Sequence, residues 1–157
     1  MKGMVVVEHI AQKFPEMTML MAVRGPIPES FRNLANVRLF HNADYDLLPV
    51  LYNSADFSLC PSYYDPFPFV VSEALASGTP VICSPHGASL TFYTDEALKP
   101  LLTTSTNDLQ GFERAVRTVL ADPAGWRNRI QTIVRPQLEE RMAPENWWRR
   151  FEEIVLN

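Results

Sequence analysis

Residues 61–78 read Pro-Ser-Tyr-Tyr-Asp-Pro-Phe-Pro-Phe-Val-Val-Ser-Glu-Ala-Leu-Ala-Ser-Gly and put two acids, Asp65 and Glu73, eight positions apart across a loop-to-helix junction. The run Asp56-Phe57-Ser58-Leu59-Cys60 before it reads as a buried strand, and Thr79-Pro80-Val81-Ile82-Cys83 after it as another. Pro66 and Pro68 hold the loop in extended or turn geometry. Pro68 suits the first position of a helix, which runs over Phe69 to Ala76 and stops at Gly78. Strand, loop, helix and parallel strand make one βαβ unit. Ligands of such sheets bind at the carboxyl ends of the strands, where both acids fall.

Working outward, Val6, Ile10 and Phe14 share one face of a helix over Met4 to Phe14, which Pro15 ends. Met17 to Val23 is an apolar strand stopped by Arg24-Gly25-Pro26. A short helix over Glu29 to Leu34 and a strand over Val37 to Phe40 follow. Tyr45 to Ala55 reads as helix, with Asp44 or Asp46 as N-cap. Beyond the βαβ unit, Leu101-Leu102-Thr103 reads as an edge strand, and Thr106-Asn107-Asp108 supplies caps for a helix over Leu109 to Ala121. A helix from Ala124 to Glu140 carries Pro136 as a kink, and Pro144 opens a last helix with Trp147 and Phe151 on its apolar stripe. Strands alternate with helices, so the fold class is α/β with a doubly wound, mostly parallel sheet. Such a unit normally opens on a strand, whereas this chain opens on Met1-Lys2-Gly3 and a helix, so its first strand is expected to be missing.

The 157 residues suit one domain, 46% of them hydrophobic and 20% charged, which excludes disorder. No apolar run approaches the roughly 20 residues of a bilayer span, and no signal peptide is legible. A net charge of −4 without a basic block argues against nucleic acid as a partner. Cys60 and Cys83 read as reduced core thiols, a disulfide staying open if their strands are neighbours. His9, His41 and His86 have no metal-ligand spacing with them, so no metal is expected.

The helix after the loop offers free N–H groups and a positive dipole end, an anion site for which phosphate is the natural guest. Glu73, one turn in, would repel phosphate but accept hydrogen bonds from the vicinal hydroxyls of a ribose. Asp65 could do the same for a second sugar. The alternative is that Asp65 caps a turn and Glu73 is a solvated helix residue.

The run Asp65-Pro66-Phe67-Pro68-Phe69-Val70-Val71-Ser72-Glu73-Ala74-Leu75-Ala76-Ser77-Gly78-Thr79-Pro80-Val81 resembles the acid–seven residues–acid motif of retaining family 4 glycosyltransferases. Lys2-Gly3, Asn36-Val37-Arg38-Leu39-Phe40, Tyr52-Asn53-Ser54-Ala55-Asp56 and Trp147 extend the likeness over nearly the whole chain. The resemblance implies a Rossmann-like C-terminal half of a GT-B fold, residues 1–157 being the nucleotide-sugar (donor) binding domain. It implies retaining transfer of a hexose from a nucleoside-diphosphate sugar to a glycan, lipid or other acceptor. Lys2 would neutralise the diphosphate. Residues 41–45, with Ala43 near the base, would line the nucleobase pocket through backbone. Asp65 would bind the transferred sugar, Phe69 and Val70 would offer N–H groups, and Glu73 would bind the ribose. Asp65 and Glu73 stand as the catalytic pair, with His86 and Arg24 as further candidates. No cofactor or metal is implied, since a lysine and a helix end can stabilise the leaving diphosphate.

Four departures from the family pattern stand out. Asp65 replaces the usual Glu, Pro66 and Pro68 replace two glycines, Val23 stands where a strand often ends in Gly, and His86-Gly87-Ala88 replaces Gly-Gly. The acceptor domain would lie outside this chain, so the isolated chain is expected to be inactive. Any peripheral membrane association would run through that absent domain. A cytoplasmic location is expected. The other readings are a non-catalytic module binding a nucleotide or a partner, and a fragment of an epimerase or phosphorylase on the same fold.

Overall fold

The computed structural model describes residues 3–66, 69–85, 93, 95–103 and 105–146. Helix α1 (Met4–Lys13) forms where Val6 and Ile10 recur on one face, and both are buried. Its N-cap, Gly3, is left-handed at φ 59°, and a Cβ there would overlap the carbonyl oxygen of Pro61. Strand β1 (Met19–Val23) follows, then α2 (Glu29–Arg32), which buries Phe31, and β2 (Val37–His41). β1 and β2 are parallel, Met19 opposite Val37 and Val23 opposite His41.

Helix α3 (Leu47–Ser54) leads to β3 (Ser58–Cys60), and α4 (Phe69–Ala76) leads to β4 (Val81–Cys83). β3 and β4 are parallel with Cys60 opposite Cys83; both cysteines are buried and not joined in a disulfide although their strands are neighbours. The Leu101–Thr103 strand expectation is corrected. Glu96–Leu101 is a 3₁₀ helix, with Pro100 inside it, and Leu102 alone bridges to Cys83 in parallel. Asp46 sits at the N-cap of α3, yet its side chain makes no cap hydrogen bond because its backbone is already helical, at φ −67° and ψ −21°.

Helix α5 (Leu109–Ala121) packs Phe112, Ala115, Val116 and Val119 into the core. Asp108 caps it by accepting from Gly111 N at 2.7 Å, and Asp122 repeats the device for α6 (Pro123–Arg129) through Gly125 N at 3.0 Å. The expected kink at Pro136 is spread over a π-helical stretch, Ile130–Val134, ahead of α7 (Arg135–Met142). The wider turn relieves the missing proline N–H and the clash of its ring with the preceding turn. Residues 144–146 are helical; the remainder of the expected last helix lies outside the described residues.

α/β architecture with parallel strands and flanking helices is therefore as expected. Among the described residues the strands form two separate pairs, β1 with β2 and β3 with β4. The larger core joins α1, β3, β4, α4, α5 and the helices after it; a smaller one holds Ala11, Met21, Phe31 and Val37. α1 fixes the relative direction of the pairs. It starts beside Pro61, just after β3, and ends where the Asn36 Nδ2 donates to Ala11 O and Phe14 O, just ahead of β2. Both pairs thus point their carboxyl ends to the same side.

α1 is tied to α5 by His9, whose Nε2–H donates to Glu113 Oε1 at 2.8 Å. That bond, helped by the charges of Lys13 and Arg117, holds the Glu113 carboxyl below its ordinary value of 4.5. A depressed carboxylate pKa stabilises the fold above the ordinary carboxylate range, and the benefit is lost as pH falls through the folded value. Thermal melts of the chain and of Glu113→Gln should therefore differ near neutral pH and converge on acidification below 4.5. A gap that stays constant over that window rules the linkage out.

Candidate functional site

The carboxyl ends of the strands carry most of the expected site residues that the structure describes. Arg24 follows β1, His41 closes β2 and Ala43 lies in the loop after it. Asn42 turns that loop at φ 50°, a left-handed conformation that asparagine tolerates, and its N–H donates to Val23 O at 2.9 Å. The Arg24 guanidinium stacks over the Tyr45 ring, 5.7 Å from its centroid, tying the β1 loop to the β2 loop. Arg24 is thus engaged with an aromatic neighbour, a contact that spacing alone does not reveal.

After β3, Pro61 and Ser62 are buried and Asp65 is half-buried in the loop. Phe69 and Val70 are the first two residues of α4, as expected, with Phe69 exposed and Val70 half-buried. Gly78, at φ 75°, ends the helix as its position predicts. Lys2, Phe67, Pro68 and His86 fall outside the described residues. Tyr45, Tyr64 and Phe69 are exposed at this end.

Glu73 lies in the second turn of α4 and is half-buried, so it is not the freely solvated helix residue of the alternative reading. Its Oε2 accepts a hydrogen bond from the Tyr52 hydroxyl at 3.1 Å. Burial first, then the charge of Glu73 and this bond, push the Tyr52 phenol well above its ordinary value, so it remains a donor. Tyr52 is itself anchored, because Thr79 Oγ1 donates to its carbonyl at 2.7 Å. Arg127 adds a clamp by donating to Asn53 O at 3.3 Å and Ala55 O at 2.6 Å at the end of α3. A carboxylate held this way has one oxygen oriented by the phenol and accepting capacity left for a ligand's hydroxyls. The sequence gives no spacing signal for the Tyr52–Glu73 pair; a tyrosine four residues ahead of Asp56 is the only trace of it.

Among curated proteins no sequence matches the chain. Among solved structures, sucrose-phosphate synthase from Thermosynechococcus elongatus superposes with a TM-score of 0.62 at 27% identity, over 92% of this chain and 41% of that one. The chain thus spans less than half the length of that glycosyltransferase of GT-B fold, and its α/β architecture matches the corresponding part. The family model described as glycosyl transferases group 1 matches residues 29–135, a span that holds β2, β3, the Asp65 loop, α4 with Glu73, and Tyr52. On that match and that architecture, the chain belongs to the glycosyl transferases group 1 family.

Proposed function

We propose that this chain is the donor-binding domain of a retaining glycosyltransferase that moves a hexose from a nucleoside-diphosphate sugar. The observation that carries the reading is Glu73, half-buried on α4 behind the carboxyl end of β3 and oriented by the Tyr52 hydroxyl at 3.1 Å. In this reading Glu73 receives the ribose hydroxyls, and the backbone at Phe69 and Val70 faces the phosphates at the positive end of α4. Asp65 holds the transferred sugar, Ala43 borders the base, and Lys2 balances the diphosphate. Departure of the nucleoside diphosphate needs its growing charge stabilised, which a lysine and a helix end supply without a metal. The acceptor site belongs to a second domain, so the chain alone binds donor and transfers no sugar. The family match and the likeness to sucrose-phosphate synthase support the transferase class. No helix among the described residues is long and apolar enough to cross a membrane. Two buried cysteines outside any disulfide suit a reducing, cytoplasmic setting.

Calorimetry with UDP, GDP and ADP tests the reading. One of the three should bind saturably and above the others, with no sugar released or transferred from its hexose conjugate. If all three fail to bind, the reading is wrong and the domain is a module for another kind of partner. Turnover by the isolated chain would equally overturn the division of labour between two domains.

A further inference from the structure

Glu73 and Tyr52 sit on different helices, so their hydrogen bond is only as fixed as the spacing between α4 and α3. Apolar packing holds α3 weakly, because the helix buries none of its residues and Tyr52 is itself half-buried. A polar bridge between the two helices runs through one residue, Thr79.

Thr79 is fully buried in the turn between α4 and β4. Its N–H donates to Ala74 O at 2.9 Å, on the residue that follows Glu73. Its Oγ1 hydroxyl donates to Tyr52 O at 2.7 Å. One side chain and its own amide therefore hold the α4 backbone beside one member of the pair and the α3 backbone at the other.

The turn is built to put Thr79 there. Gly78 N closes on Leu75 O at 2.9 Å while Thr79 N reaches back to Ala74, the paired bonds of a Schellman helix end. That end needs a left-handed residue, and Gly78 supplies it at φ 75°. Ser77 tightens the last turn, its N and Oγ both donating to Glu73 O at 3.1 and 2.9 Å. Pro80 keeps Thr79 extended, and its carbonyl accepts from Ser58 N at 2.8 Å, which fixes the bridge to the sheet.

Arg127 fixes the end of α3 against α6, and Thr79 fixes it against α4. With the Tyr52 backbone held, only two torsions remain to place its hydroxyl. The Thr79 hydroxyl is not there to rescue a stranded carbonyl. Tyr52 O also accepts from Ala55 N at 3.2 Å, and a carbonyl has two lone pairs. Valine has nearly the same shape and suits the entry to a strand equally well. What the hydroxyl adds is position.

We infer that Thr79 is a positioning residue for the donor site, its bridge setting the α3–α4 spacing at which the Tyr52 phenol aims the Glu73 carboxylate at the two hydroxyls of a ribose. The inference rests on the reading of Glu73 proposed above. Its own content is that a buried threonine, acting through Tyr52, governs the preference for ribose. A carboxylate fixed in direction accepts from both hydroxyls of a cis diol at once, whereas a swinging one must be ordered at each binding event.

The test is calorimetry on the full chain with UDP, GDP and ADP, then with the 2′,3′-dideoxy analogue of whichever binds tightest. Thr79→Val keeps the shape and loses the hydroxyl; Thr79→Ser keeps the hydroxyl and loses a methyl. Thr79→Val should weaken the ribonucleotide about three- to tenfold, the effect of one hydrogen bond, and leave the dideoxy analogue unchanged. Thr79→Ser should restore the wild-type preference. In a Glu73→Ala background Thr79→Val should have no further effect, because it acts through that carboxylate. Tyr52→Phe reads the same bridge from its other end should Thr79→Val fold poorly, and it too should weaken the ribonucleotide alone. Equal losses for the valine and serine variants, equal losses for ribose and dideoxy forms, or a loss that adds to that of Glu73→Ala would each overturn the role of Thr79 and leave the donor site standing. A wild-type chain that binds none of the three nucleotides overturns the donor reading itself, and this inference with it.

Discussion

Replacing Glu73 with alanine should weaken nucleoside-diphosphate binding by about ten- to a hundredfold. The figure follows from losing hydrogen bonds to a charged acceptor, each worth about 1.5–3 kcal/mol. The fold should survive the change. Alanine is a better helix former than glutamate, and Glu73 is only half-buried. Calorimetry against the nucleotide and its 2′,3′-dideoxy analogue separates the ribose contact from any general loss. The wild-type chain should prefer the ribose form, and the alanine variant should treat both alike. Equal affinity of wild type and variant for the natural nucleotide would remove Glu73 from the site.

Gly3→Val should cost about 3 kcal/mol or more of folding stability, read by urea unfolding. Two costs add. A β-branched residue at φ 59° is strained by about 1–2 kcal/mol, and its Cβ would strike the Pro61 carbonyl, a backbone group that cannot swing aside. Overpacking of that kind adds about 1–3 kcal/mol. Gly25→Ala is the matched control. Gly25 is also left-handed, at φ 94°, yet nothing lies within 4 Å of a Cβ there. It should show backbone strain alone, about 1 kcal/mol. If the two variants unfold alike, the approach of α1 to Pro61 is not a structural constraint. If they differ as expected, the contact that sets the start of α1 also sets the height of the loop bearing Asp65.

Much of this fold was legible because its signals are local. The i, i+4 spacing of Val6 and Ile10 marks α1, and the Thr106-Asn107-Asp108 cap residues mark the start of α5, where Asp108 is indeed the N-cap. The βαβ unit around α4 is bounded by prolines and Gly78, whose backbone demands are written in residue type. The acids proposed for the site could be picked out by spacing; the groups that support them could not. Tyr52 meets Glu73 only because α3 and α4 lie side by side, which no spacing encodes. The stacking of Arg24 on Tyr45 is tertiary in the same sense. Pro136 announced a distortion without saying that it would spread backward into five residues of π-helix. Asp46 looked like a cap by type, but its backbone is already helical and its side chain makes no cap hydrogen bond.

The all-parallel pairing has a kinetic side. Neither strand pair is a hairpin, so each must close a loop of roughly twenty residues before its first rung forms, as Met19 with Val37 and Ser58 with Val81 illustrate. Helical turns between Leu109 and Met142 need no such closure and form and relax far faster than the strands can pair. Strand pairing is therefore the slow part of refolding, and the stage before it is complete leaves the strand edges unpaired. That stage is its window for aggregation, and dilution or lower temperature during refolding acts there.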